Sequence, residues 1–188
     1  LDLESNLGKG EAVRRGMVFA LQHIRPACIG YMDADLSAPF TEMERLFTCL
    51  EQNPAVKVVL GSRVRRLGTT IMRSPLRHYS GRVFATLVSL LLRLPVYDSQ
   101  CGAKVMTAEK AGTLFREKFL TKWLFDVELL YRHKLLYGME RTLQEVYEYP
   151  LYEWKEIRGS KISFTQLLSI PVDLIRIYCH YKPIHLVR

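Results

Sequence analysis

The sequence predicts an α/β fold in which helices flank a largely parallel sheet. Segments with apolar residues at helical spacing alternate with short β-branched or apolar runs, which are typical of buried strands. No repeat or low-complexity linker divides the chain, and 188 residues with 48% hydrophobic content are enough for one well-packed core. We therefore predict a single domain over residues 1–188.

The first part of the chain contains four predicted elements. Apolar residues recur at helical spacing over 11–24, and an extended run follows at 27–32. Pro39 suits the first turn of a helix that reaches to about Gln52. The β-branched run at 56–60 is predicted to form a strand. Strands and helices that alternate in this way usually form a parallel sheet, with ligands beyond the carboxyl ends of its strands.

The second part of the chain contains longer apolar segments. The stretch "RVFATLVSLLLRLP" predicts an apolar helix. A narrow polar stripe on this helix consists of Arg82, Thr86, Ser89 and Arg93. Such a helix is either buried in the core or lies in a membrane interface, and we predict an interface helix over 74–94. Residues 143–152 are strand-like, and 162–188 are predicted to form a helical tail.

The charge of the chain is uneven. Its net charge of +8 comes from 27 lysines and arginines against 19 acidic residues, yet no acidic residue lies between Glu51 and Asp98. A block of this kind is either a solvated loop or a binding surface for anions. Arginine dominates it, which favours forked recognition of phosphate oxygens. A nucleic-acid-binding protein is the alternative, but no zinc finger or basic zipper is present, and we expect no nucleic acid as partner.

Two carboxylates follow the first predicted strand in "CIGYMDADLSAPF". Asp33 and Asp35 are two residues apart, so on an extended chain their side chains point the same way. Hard oxygen ligands select Mg²⁺ or Mn²⁺, which complete their coordination with water and substrate phosphates. The alternative is that the pair caps the helix that begins near Pro39.

Six ordered motifs carry a family resemblance. They are "NLGKGEAVRRGM", "GYMDADLS", "VVLGSRV", "YDSQCGAKVM", "WLFDVELL" and "EWKEIRGSKIS". Together they resemble the family-2 inverting glycosyltransferases of GT-A fold, above all the polyprenyl-phosphate branch that includes dolichyl-phosphate β-glucosyltransferases. The resemblance implies transfer of a hexose, with glucose expected, from a nucleotide diphosphate sugar to a polyprenyl phosphate. A different acceptor, such as a glycan or a cell-envelope polymer, is the alternative.

The same resemblance implies roles for individual residues. Binding of a Mg²⁺ or Mn²⁺ ion is assigned to Asp33 and Asp35. Binding of the donor is assigned to Lys9, Asp33, Asp98, Gln100 and Lys161, and stacking on the sugar ring is assigned to Trp123. The acceptor phosphate is assigned to Arg63 and Arg77. Catalytic roles are assigned to Asp35, Asp126 and Glu128.

The resemblance also implies a setting for the protein. We expect a peripheral protein on the cytoplasmic side of a membrane, either the bacterial inner membrane or the endoplasmic reticulum, with UDP-glucose as donor. A homo-oligomer is compatible with the family. Relatives begin with a "P-x-Y-N-E" strand and a "D-D-G-S" segment that bind the nucleotide, and neither is present here. We therefore expect the nucleotide-binding half to be incomplete and the isolated chain to have little transferase activity.

Overall fold

A computed structural model describes residues 5–157 and 164–182 of the chain. The predicted helices and strands alternate along it as expected. In chain order the elements are α1 (Lys9–His23), β1 (Cys28–Tyr31), α2 (Phe40–Gln52), β2 (Val58–Ser62), β3 (Thr70–Met72), α3 (Pro75–Leu92), β4 (Lys104–Thr107), α4 (Ala108–Leu114), α5 (Phe125–Tyr137), α6 (Met139–Glu145), β5 (Val146–Pro150), β6 (Glu153–Lys155) and α7 (Phe164–Tyr181).

The main sheet has four strands in the order β1-β4-β2-β5. Strand β4 pairs antiparallel with both β1 and β2, and β2 pairs parallel with β5. Three strands therefore run in one direction, as the sequence predicts, and only β4 is reversed. The strand-like segment 143–152 is shorter than predicted, because its first residues belong to α6.

Two apolar clusters cover the two faces of the sheet. Along β2, Val58 and Leu60 face a cluster built with α1, α3, α4, α5 and α7, whereas Val59 between them faces a cluster built with α2. This alternation is the period-two pattern of a strand, and burial on both faces explains why β2 has no polar side except at its end. The sheet is thus packed on both faces, and the loops at its edge begin and end at these packed strands.

A second sheet, of two parallel strands, closes one side of that edge. Strands β3 and β6 pair so that Ile71 lies opposite Trp154. Backbone bonds join this sheet to neighbouring loops, with Thr70 N donating to Tyr152 O at 2.7 Å and Lys155 N to Ser37 O at 2.8 Å. Trp154, which is buried, is thereby fixed beside the loop that follows β1.

Helix α3 is half buried and half exposed. Val88 and Leu92 are in the core, whereas Val83 and Leu90 are 63% and 70% exposed. Two residues of the predicted polar stripe bind the segment that follows the helix, since Ser89 donates to the Leu94 carbonyl and Arg82 to the Tyr97 carbonyl. Among residues 5–157 and 164–182, none of the helices has both the length and the hydropathy of a membrane span.

Candidate active site

The candidate site lies at the edge of the main sheet where β1 and β2 end. Asp33 follows β1 by two residues and Arg63 directly follows β2. Because β4 is reversed, the turn at 100–103 that precedes it lies at the same edge. These loops surround a cavity of about 250 Å³. The topology of the sheet therefore brings Asp33 and Gln100 to one cavity, although they are 67 positions apart in the chain.

The cavity has a charged set and an apolar set of lining residues. The charged and polar set contains Lys9, Asp33, Asp35, Ser37, Arg63, Arg73, Ser80, Gln100 and Glu156. The apolar set contains Phe84, Trp123, Leu124, Trp154, Ile157 and Ile170. Such a cavity can take a ligand with an anionic end and an apolar body.

The two predicted metal-binding carboxylates both line the cavity. Asp33 Oδ1 lies 2.7 Å from Lys9 Nζ, and its side chain is 36% exposed. Asp35 Oδ1 accepts a hydrogen bond from Ser37 N at 3.0 Å, which fixes the loop after β1. In residues 5–157 and 164–182 no group of three or more His, Cys, Asp and Glu side chains is arranged to hold a metal ion. A pair of carboxylates fits a Mg²⁺ or Mn²⁺ ion that takes its other ligands from water and substrate phosphates.

Arg63 is held by a bidentate ion pair. Its Nε and Nη2 donate to the two oxygens of Asp98 at 2.6 and 2.7 Å, and its backbone N–H donates to Asp98 Oδ2 at 3.0 Å. Burial opposes both charges, yet the pair holds the pKa of Arg63 above and that of Asp98 below their ordinary values. The Arg63 guanidinium also lies 5.3 Å from the Trp154 ring centre. Arg63 is therefore preoriented at the cavity.

Asp98, which is predicted to lie beside the donor sugar, is the ion-pair partner of Arg63. Both of its oxygens bind Arg63, and it does not line the larger cavity. The loop that carries it is fixed by Glu148, whose carboxylate accepts from Tyr97 N and Asp98 N at 2.7 Å each. Burial raises the pKa of Glu148 against the effect of these two N–H donors. Asp98 therefore orients Arg63, and its predicted contact with the donor sugar stays a prediction.

A smaller cavity of about 50 Å³ adjoins the larger one and is lined by three arginines and one carboxylate, that of Asp98. Arg63, Arg73 and Gln100 line both cavities, and Arg82 lines the smaller one. Ser99 also lines it, and the buried Ser99 hydroxyl has no hydrogen-bond partner in the described part of the chain. The sequence places Arg73 in the basic block but assigns it no role. Its position in both cavities could not be read from that block, where arginines are the rule.

The predicted catalytic carboxylates on α5 are in the interior. Asp126 Oδ1 accepts from the Tyr31 hydroxyl at 2.6 Å and lies 2.7 Å from Lys104 Nζ. Glu128 accepts from the backbone N–H groups of Leu120 and Thr121 at 2.9 Å. Both carboxylates are at most 1% exposed, and neither is among the described residues that line the cavity. Both carboxylates therefore lie away from the cavity in this structure, and their predicted catalytic roles stay predictions.

The five remaining predicted site residues have different outcomes. Lys9 and Gln100 line the cavity, as does Trp123, which is 40% exposed. Lys161 and the Arg77 side chain lie outside the described residues. Their predicted contacts with the donor diphosphate and the acceptor phosphate therefore stay predictions.

The fold is similar to that of GT-A glycosyltransferases. A glucosyl-3-phosphoglycerate synthase of Mycobacterium tuberculosis, solved with UDP, superimposes with a TM-score of 0.63 at 14% identity over 94% of this chain and 57% of that chain. The same enzyme with Mn²⁺, UDP and phosphoglyceric acid gives a TM-score of 0.62 at 15% identity over 95% of this chain and 55% of that chain. The predicted fold class is therefore confirmed.

In sequence, the chain is similar to dolichyl-phosphate β-glucosyltransferases. The chain is 34% identical to that of Drosophila melanogaster, over 96% of this chain and 54% of the relative. It is 32% identical to one from Trichomonas vaginalis, over 97% and 52%, and 33% identical to that of Mus musculus, over 96% and 54%. No family model matches the chain. The predicted resemblance is confirmed, and the chain spans about half the length of these curated relatives.

Proposed function

We propose that the whole protein transfers glucose from UDP-glucose to a dolichyl-type polyprenyl phosphate, with inversion at the anomeric carbon. The observation that carries this proposal is the cavity in which Asp33 and Asp35 face the cationic side chains of Lys9, Arg63 and Arg73. Two anionic substrates that must react need such a site, because carboxylates can hold a metal ion for one phosphate group and arginines can bind another. The names of the relatives support glucose and dolichyl phosphate as substrates.

Asp33 and Asp35 would hold a Mg²⁺ or Mn²⁺ ion, which stabilises the negative charge that develops on the leaving diphosphate. The fold neighbours solved with Mn²⁺ and UDP support this choice of ion. Lys9, whose Nζ lies 2.7 Å from Asp33 Oδ1 and which lines the cavity, would also contact the donor diphosphate. The indole of Trp123 offers a face on which the sugar ring can stack.

The acceptor phosphate is itself the nucleophile. One of its oxygens forms the bond to the anomeric carbon, while the bond from that carbon to the diphosphate oxygen breaks and the diphosphate leaves with the electron pair. A phosphate is ionised near neutral pH, so no strong general base is needed. The main tasks of Arg63 and Arg73 are therefore to bind and orient that phosphate. The interior positions of Asp126 and Glu128 agree with chemistry of this kind.

The apolar parts of the structure favour a lipid acceptor. Phe84 of α3 and Ile170 of α7 line the cavity beside its charged residues. On its outer side α3 exposes Tyr79, Val83, Leu87 and Leu90, each between 49% and 70%. A helix with this exposed apolar stripe suits the interface of a membrane, where the head group of a lipid acceptor is found. The protein would then be peripheral, and the cytoplasmic side stays a prediction, as does a homo-oligomer.

A water-soluble phosphate ester is the second candidate acceptor. The fold neighbours include a synthase solved with phosphoglyceric acid, whose phosphate would suit the same arginines. A soluble acceptor gives no reason for the exposed apolar stripe of α3, which favours the lipid. The test below separates the two acceptors.

The test supplies the whole protein with radiolabelled UDP-glucose and Mn²⁺, together with either dolichyl phosphate in detergent or 3-phosphoglycerate. Label that passes into the organic phase identifies the lipid product, and label in a new anionic product in the aqueous phase identifies the soluble one. Transfer to the lipid should be lost in Asp33→Ala and Asp35→Ala. Glu44→Ala removes an exposed carboxylate from α2 and should keep wild-type transfer.

Two results would overturn the proposal. Transfer of label to 3-phosphoglycerate alone would assign the soluble acceptor. Wild-type transfer of glucose to the lipid by both aspartate variants would rule out a role for the carboxylate pair.

A further inference from the structure

The Asp33 carboxylate rests against the backbone of a single glycine. A Cβ atom built on Gly102 would lie 2.0 Å from Asp33 Oδ2 and 2.1 Å from Asp33 Cγ. Real Cβ atoms do not approach other atoms so closely. Gly102 does not have a positive φ, so the backbone conformation there is open to any residue. The need for glycine at this position therefore comes from the neighbouring carboxylate.

The turn that contains Gly102 is fixed from two directions. On one side, Gly61 N in β2 donates to Ala103 O at 2.8 Å. On the other side, Lys104 Nζ donates to Cys101 O at 2.5 Å. Every residue from Cys101 to Lys104 is buried. The backbone against which Asp33 packs thus has little freedom to move.

Lys104 is in turn held by a buried carboxylate. Its Nζ lies 2.7 Å from Asp126 Oδ1, and both side chains are at most 1% exposed. The Tyr31 hydroxyl donates to the same oxygen at 2.6 Å. Tyr31 is the last residue of β1, two residues before Asp33, and its register partner on β4 is Lys104. One polar group therefore ties together the strand that carries Asp33 and the turn on which Asp33 rests.

We propose that the 101–103 turn is the seat that sets the position of the Asp33 carboxylate for metal binding. Gly102 is required there because any side chain would displace the carboxylate. Lys104 and Asp126 act as positioning residues that fix the turn through the Cys101 carbonyl. Asp126 thus serves the site from the interior without contact with the substrate. This inference rests on the proposed function only in giving Asp33 a metal ion to bind.

The test compares Gly102→Ala with Gly112→Ala. Gly112 is exposed on α4, and a Cβ built there meets no atom within 4 Å, so this variant is the matched control. Mn²⁺ is titrated into each protein in the presence of UDP, and free Mn²⁺ is followed by electron paramagnetic resonance. Gly102→Ala should weaken Mn²⁺ binding by about 10- to 100-fold, the effect typical of lost support for a metal ligand. Gly112→Ala should bind Mn²⁺ as the wild type does.

A second measurement distinguishes a clash with the Asp33 carboxylate from a general loss of stability. All three atoms nearest to the added Cβ belong to the Asp33 carboxyl group, and Asp33→Ala removes them. If Gly102→Ala lowers the midpoint of thermal unfolding, the same substitution in an Asp33→Ala background should not lower it further. Wild-type Mn²⁺ affinity in Gly102→Ala, or equal destabilisation in both backgrounds, would overturn the inference. Absence of Mn²⁺ binding by the wild type would count against the proposed function, while the unfolding comparison would still test the seat.

Discussion

Replacing Lys104 by methionine removes one charge of a buried ion pair and keeps a side chain of similar length. At an effective dielectric constant of about 20, two unit charges 2.7 Å apart attract each other by about 6 kcal/mol. Desolvation of both groups offsets part of this attraction. After the substitution, Asp126 keeps the Tyr31 hydroxyl but loses its counter-charge. We expect the free energy of unfolding to fall by about 3–5 kcal/mol, a large share of the roughly 5–15 kcal/mol of an ordinary domain.

Urea unfolding at 25 °C, analysed by linear extrapolation, measures this loss. The double variant Lys104→Met with Asp126→Asn provides the control, because it removes the unpaired charge and leaves a side chain that can still accept from Tyr31. The double variant should therefore be more stable than Lys104→Met alone. A loss below about 1 kcal/mol in the single variant, or a double variant that is no more stable, would refute the reasoning about the buried pair.

Three further outcomes are expected. Burial lowers the pKa of His133 to about 4, so between pH 6.5 and pH 4 the unfolded chain binds a proton at this residue that the folded protein does not bind. The free energy of unfolding should therefore fall by up to about 3 kcal/mol over this range. Urea titrations at several pH values should show a smaller fall in His133→Asn. Because a lysine at position 63 cannot form the bidentate pair with Asp98, Arg63→Lys should raise the KM for the acceptor phosphate more than the KM for the donor. Equal increases in the two KM values would contradict this expectation. Leu87→Gln with Leu90→Gln should weaken sedimentation with lipid vesicles while the melting temperature stays close to that of the wild type, since both side chains are exposed, and unchanged sedimentation would remove α3 from the membrane contact.

Much of the fold follows from the local pattern of the sequence. Apolar spacing predicts α1, β1, α2 and β2 within a few residues of their observed bounds. The sequence pattern does not predict β4, because this strand has only four residues and begins with the charged Lys104. Its place between β1 and β2 depends on long-range pairing, which no local pattern contains. The ion pair that makes this lysine acceptable in the interior is provided by Asp126, 22 positions further along.

The candidate site could be predicted in part. Asp33 and Arg63 lie within two residues of the ends of β1 and β2, and the sheet brings the ends of those strands to one cavity. Asp126 and Glu128 form an equally prominent acidic pair in the sequence, but their partners on other elements place them in the core. Spacing alone cannot distinguish a buried carboxylate with partners from an exposed one. Arg73 was missed for the opposite reason, because its sequence neighbours are equally basic.

The most direct test of the central claim is to locate the metal ion. Crystals of the whole protein grown with Mn²⁺ and UDP-glucose should give an anomalous difference peak between the carboxylates of Asp33 and Asp35, with metal–oxygen distances of about 2.0–2.5 Å. The diphosphate should complete the coordination on the side of the cavity that carries Lys9. A peak at another group of residues, or a diphosphate bound away from these carboxylates, would contradict the account.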